Sequence, residues 1–340
     1  MVNNYLSRKA CTCLKGWLAL AILIHHIYQF SGILSGTPFS FVFINLGYWA
    51  VGLFMFLSGF GLYESYKLKG QAYIKLFPRN RLLTFEISYL IFVLIYSVYD
   101  FAMGIGHTLK DYCLTLTYGS TVISFGWYLQ LSMAMYLIFW VVFRFIQGSN
   151  RQLGVLAALL CVFIIINIYV GIDEGRYTPV VYFAVGIMWS AHKEKADIIL
   201  FKFRYLLFII MCIIFLGGYV ILWKYNLPTY AVAMVRTLSG IAGIIAIESL
   251  LYTCYRFNGK MGQMLLSIFE NPAMKFLSKI SLEVYALQGI VLRTLYPQIS
   301  NQYLFALAGF VSTILVAIPM QKLLSILKNS LRTRGVQSNG

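Results

Sequence analysis

The stretch LLFIIMCIIFLGGYVILW, residues 206–223, runs for 18 positions without a charged side chain. An apolar run of about 20 residues matches the hydrocarbon thickness of a bilayer. No water is present there to satisfy backbone N–H and C=O groups, so only a helix or a closed barrel can cross. Barrel strands alternate polar and apolar side chains at every second residue, and this run does not. Comparable runs recur along all 340 residues, and charged side chains make up only 11% of them. A soluble domain carries about 25%, and the mean hydropathy here is +0.77. The expected fold class is therefore all-α, a polytopic transmembrane helix bundle.

Hydropathy divides the chain into about ten spans, at 14–34, 43–63, 82–102, 126–146, 153–171, 179–191, 205–223, 229–251, 281–297 and 303–325, in a single domain covering 1–340. The net charge of +16 would suit a nucleic-acid binder, but the placement of the cations argues otherwise. Arg8, Lys9, Lys15, the 67–81 group, Arg144, Arg151, the 193–204 group, the 256–279 group and Lys322, Lys328, Arg332, Arg334 alternate with the spans and fall on one side, 22 of the 27 in all. Lys110, Arg176 and Lys224 fall on the other, and Arg236 and Arg293 lie inside spans. Positive charge accumulates on cytoplasmic loops, so both termini are expected in the cytoplasm and no nucleic-acid partner is implied.

The six cysteines show no paired spacing of the kind a disulfide framework or zinc site needs. Cys11 and Cys13 read as packing residues, and Cys113 is expected to face outward. No metal is expected. The first span has a long apolar run and no small-x-small cleavage site, so it reads as a retained span rather than a signal peptide. With no domain-sized polar segment, any chemistry is expected in the helix bundle or at its two faces.

Residues 64–81, ESYKLKGQAYIKLFPRNR, form a basic cytoplasmic connection. Attraction to anionic lipid headgroups accounts for such a segment, and so does an anion site for a phosphorylated substrate. In 252–280 the apolar positions recur at helical spacing, the pattern of an interfacial helix.

Polar residues inside spans are costly and mark function or helix-to-helix bonding. His25 and His26 stand adjacent in the first span, pointing about 100° apart around a helix. A neutral imidazole can act as a general base or serve as structural glue. Glu86, Asp100, Arg236, Glu248, Glu283 and Arg293 are the other candidates, some of them as partners of one another, with Asp100 near the outer interface. A proton-coupled transporter would use the same buried His, Glu and Arg residues. Its inverted repeat is not found between 1–170 and 171–340.

Five segments, in order, resemble the membrane-bound acyltransferase-3 family. LKGWLALAILIHHI is similar to the family's opening helix, a basic residue and a histidine separated by ten positions, here Lys15 and His26. VGLFMFLSGFGL (51–62), LFPRNRLLTFEISYL (76–90), GWYLQLSMAMYLIFW (126–140) and SKISLEVYALQGIVL (278–292) resemble the family's second-helix, third-helix, fourth-span and late-helix segments. The departures are Lys15 where arginine is frequent, Thr84 where proline is frequent, and Gln288 where the late helix has histidine. Glutamine cannot take a proton, and lysine lacks the planar fork of arginine.

The resemblance implies an O-acyltransferase of a cell membrane, bacterial by expectation. It would move an acyl group, commonly acetyl, from cytoplasmic acyl-CoA to a hydroxyl of a surface or lipid-linked glycan. Acyl-CoA is a donor substrate, with no permanently bound cofactor. His26 is the expected general base with His25 in support, and Lys15, Arg79 and Arg81 are the expected holders of CoA phosphates. Trp127, Tyr128, Ser58 and Glu283 are expected at the substrate. Trp127 and Tyr128 also fit an interfacial aromatic belt, and Ser58 fits close packing beside Gly59. Membrane lipids are the surrounding partner, and the oligomeric state is left open.

Overall fold

The computed structural model describes residues 5–37, 39–119, 121–256 and 259–333, so of the cations counted above only Arg334 lies outside the described residues. Among the described residues there are helices and turns and no strand. In chain order come α1 (Arg8–Ser31), α2 (Phe39–Phe77), a π-helical turn at Pro78–Leu83, α3 (Thr84–Ala102), α4 (Leu109–Tyr118) and α5 (Trp127–Phe145). Then follow α6 (Ser149–Tyr169), α7 (Glu174–Tyr177), α8 (Pro179–Ala191), α9 (Lys193–Lys224) and α10 (Thr229–Arg256). The chain closes with α11 (Lys260–Phe269), α12 (Pro272–Lys279), α13 (Ser281–Leu295) and α14 (Gln302–Thr333).

Each expected span falls on a helix. Seven segments are long and apolar enough to cross a bilayer, and one of them, 39–102, holds two of the expected spans. The spans expected at 179–191 and 281–297 fall on α8 and α13, of 13 and 15 residues. The chain is a multi-pass membrane protein.

Two connections differ from their expected form. The basic segment 64–81 is helical through Phe77, because Glu, Lys, Leu and Gln are good helix formers. It breaks at Gly70, which takes φ 56°, ψ −142°, a conformation open to glycine. The interfacial helix expected in 252–280 is two short helices, α11 and α12. Proline is favoured at a first helical position and restricts the residue before it, so Asn271–Pro272 starts a new helix. The Asn271 side chain caps it by accepting from the Met274 amide at 3.0 Å.

The chain forms two compact units, each with its own core. The first comprises Met1–Leu18, Tyr48–Gly70 and Gln147–Ser278. Here α2 and α8 meet at paired glycines. A Cβ on Gly59 would strike the carbonyl of Phe183, and one on Gly186 would strike that of Phe56. Small residues let helix backbones approach, so the packing role read for the LSGF segment belongs to Gly59. The second unit comprises Ala19–Gly47, Gln71–Ile146 and Lys279–Gly340. Its core holds Tyr89, Phe92 and Tyr96 of α3, Phe139 and Phe143 of α5, and Leu292 of α13, all buried. Gly289 of α13 sits against Tyr96 and Ser124 with no space for a Cβ.

Candidate active site

The second unit contains both first-helix histidines. His25 and His26 are 9% and 7% exposed, with ring centroids 5.1 Å apart and planes 52° apart. Nδ1 of His25 lies 2.7 Å from the carbonyl oxygen of Phe43. A carbonyl only accepts, so Nδ1 carries the hydrogen and Nε2 keeps a lone pair. Gly47, one turn beyond Phe43 on α2, makes room for this ring, since a Cβ there would collide with it.

His26 has a different environment. Phe125 lies flat on it, with centroids 3.7 Å apart and planes 12° apart. The ring of Tyr285 stands 6.4 Å away. Nδ1 of His26 is buried without a hydrogen-bond partner. The Gln288 side chain reaches towards the imidazole, but its own Oε1 also closes no hydrogen bond, while its Nε2 donates to the Tyr285 carbonyl at 3.1 Å. Gln288 is fully buried. The departure from the family pattern therefore falls beside His26 itself.

Phe125 precedes α5 and holds φ at +64°, the left-handed region that costs a residue with a Cβ about 1–3 kcal/mol. The Tyr285 hydroxyl donates to its carbonyl at 2.5 Å. Beyond Tyr285 the aromatic series continues to Tyr128, centroids 5.3 Å apart, and from there to Trp127 at 6.2 Å. Trp127 and Tyr128 thus join His26 through Tyr285, on the opening turn of α5.

The remaining expected site residues are spread more widely. Glu283 is 3% exposed on α13 with one carboxylate oxygen unpartnered. Arg79 is half-buried and Arg81 exposed, both on the π-helical turn, a rare element found frequently at functional sites. Lys15 and Ser58 belong to the first unit, both half-buried. Lys15 stands eleven residues before His26 on α1.

The other buried charges mostly close on themselves. Asp100 is 2% exposed and accepts from Arg293 and from His107 at 2.8 Å each. Arg236 pairs with Glu174 and lies over the ring of Tyr48. Glu248 differs: it is fully buried and neither of its oxygens has a partner. Among the described residues no group of His, Cys, Asp or Glu could hold a metal ion.

Sequence reasoning missed Phe125, Gly47 and Tyr285 as parts of this site, although Tyr285 lies within the late-helix segment 278–292. Nothing local in SFGW signals a ring laid on a histidine some hundred residues earlier. Tyr285 was more accessible, since it lies one helical turn before Gln288 and so shares its face.

The acyltransferase-3 family model, described as an acyltransferase domain, matches residues 9–322. No curated protein and no solved structure matches the chain.

Proposed function

Because the chain belongs to the acyltransferase-3 family, and is thereby a membrane acyltransferase, we propose that it moves an acetyl group from cytoplasmic acetyl-CoA to a hydroxyl of a surface or lipid-linked glycan. The observation that carries this reading is the environment of His26: a buried imidazole with an unpartnered ring nitrogen, at the end of an aromatic series. A residue held only as glue would have its nitrogens closed by hydrogen bonds, because an unsatisfied buried polar atom costs about 1–3 kcal/mol.

In the proposed reaction the acceptor oxygen attacks the thioester carbonyl carbon while its proton passes to His26. The C–S bond then breaks, and the departing thiolate recovers that proton from the imidazolium, leaving an ester and free CoA. General-base assistance of this kind contributes about 10²–10⁴-fold. His25 sits beside it in a tautomer fixed by Phe43, positioned to support the charge that forms on His26. The same lone pair makes His25 the rival base, which single substitutions separate. Trp127 and Tyr128 offer flat faces for a sugar. Arg79 and Arg81, on the π-helical turn, supply positive charge for CoA phosphates from the cytoplasmic side. Glu283 is a further substrate contact, in a bacterial plasma membrane with both termini cytoplasmic.

Purified protein in lipid nanodiscs, given acetyl-CoA and extracted lipid-linked glycan, tests this directly. Wild type should release CoA thiol with matching ester formation on the glycan. His26→Ala should fall at least about a hundredfold per folded molecule. Equal rates for His26→Ala and wild type would remove the base assignment. No ester from wild type would remove the proposed acceptor.

A further inference from the structure

We infer that Phe125 is the seal of the His26 base, and that it sets transfer to the acceptor against hydrolysis by water. This inference rests on the acyl-transfer reading above. An enzyme that holds an activated thioester beside a general base faces a competing nucleophile. Water can attack the same carbonyl carbon, give its proton to the same imidazole and expel the same thiolate, yielding acetate and CoA. Excluding water from such a site is what prevents that side reaction.

The geometry supplies the exclusion. The Phe125 ring covers one face of the imidazole at 3.7 Å and nearly parallel, and the whole residue His26 is only 7% exposed. Nδ1 of His26 is itself buried, and its lone pair lies in the ring plane, so a hydroxyl reaches it only when the side chains packed around the imidazole, the stacked Phe125 among them, give way. The cover is also built to move. Its backbone is held at φ +64°, so departure to an ordinary conformation relieves strain rather than creating it. The preceding residues do not share this freedom. Val122 and Ile123 are 0% and 2% exposed, and the Val122 amide donates to the Thr115 hydroxyl at 3.1 Å. The segment is anchored up to Ile123 and again from Gly126, whose amide donates to the Ile123 carbonyl at 3.2 Å and which packs against Gly119, while the Phe125 carbonyl between them accepts from Tyr285.

That bond links the seal to the acceptor side. Tyr285 is packed edge-on against Tyr128, whose ring, with that of Trp127, is the proposed sugar platform. An acceptor hydroxyl arriving there can take the hydrogen bond that Tyr285 gives to Phe125, releasing the strained residue and uncovering the base. Phe125 is in this sense a positioning residue. It touches the base rather than the reacting atoms.

Two readouts test it, the first independent of acyl transfer. Diethyl pyrocarbonate modification of His26, followed by peptide mass spectrometry in nanodiscs, should be slow in wild type and in Phe125→Tyr. In Phe125→Ala it should be faster by about tenfold. Acetyl-CoA hydrolysis without acceptor should rise similarly in Phe125→Ala, stay at the wild-type level in Phe125→Tyr, and fall to background in the Phe125→Ala/His26→Ala double variant. Unchanged modification of His26 in a folded Phe125→Ala protein overturns the seal. Faster modification without hydrolysis keeps the seal and removes His26 as a base. If Phe125→Ala does not fold, Tyr285→Phe, which cuts only the tether, must show the same two increases in weaker form, and their absence overturns the proposal.

Discussion

Helix α13 carries two buried polar sites five residues apart, and they are finished differently. At Arg293 the guanidinium meets Asp100, which also accepts from His107, and the arginine is further covered by Tyr99 at 5.4 Å. At Gln288 the side chain faces His26, and an oxygen on one and a nitrogen on the other remain without hydrogen bonds. Both sites lie in a segment where an unpartnered polar atom is expensive. The first has been closed, as a structural bond is. The second has been left open and covered with aromatic rings, as a site awaiting a reactant is. The contrast separates stabilising polarity from chemical polarity within one helix.

The contrast breaks most clearly by substitution. His26→Ala should cost about 10²–10⁴-fold in transfer per folded molecule, beyond whatever stability the emptied, stacked position loses. Asp100→Ala should do the reverse, destabilising by about 1–3 kcal/mol because it leaves the half-buried Arg293 and His107 without their buried acceptor. Its remaining folded fraction should transfer at the wild-type rate per molecule. Denaturation in detergent and rates normalised to folded protein check both. Gly47→Ala comes next: its methyl collides with the His25 ring, so transfer should fall about tenfold through displacement of a group next to the base. Tyr285→Phe removes one hydrogen bond, worth about 1 kcal/mol, and should raise thiol release without acceptor a few-fold.

The smallest effect lies away from both sites. Asp111 caps α4 reciprocally with Thr108, and the hydroxyl and amide of Thr108 hold its carboxyl below the usual carboxylate range. A carboxyl lowered on folding stabilises above its unfolded pKa, and that contribution is lost as pH falls through the folded value. Asp111→Asn should therefore lower the melting temperature slightly at neutral pH and converge with wild type in acid. A difference that grows in acid would contradict the sign.

The helices were legible from the sequence because hydropathy over a span-length window leaves few alternatives. The departure at Gln288 was legible too, through the order of five segments, but its place beside His26 was not, because nothing in sequence spacing joins the first helix to the thirteenth. Asp100 and Arg293 were both noted as intramembrane charges, but nothing in sequence spacing joins residues 193 positions apart. Phe125 was illegible for a different reason. Its role depends on a positive φ and on a ring stack formed only in the folded unit, and neither leaves a periodic signal. Glu248 and its unpartnered oxygens show the limit from the other side: a costly residue is easy to find in a span, and its partners are not.

The most direct test of the account is made in cells: ester-linked acetyl on extracted surface glycan, compared among wild type, His26→Ala, His25→Ala and Asp100→Asn at matched folded levels in the membrane. The account predicts that His26→Ala abolishes the ester, His25→Ala weakens it, and Asp100→Asn retains it per folded molecule. Retention of the ester in His26→Ala, or its equal loss in Asp100→Asn, would contradict the division between the open and the closed site.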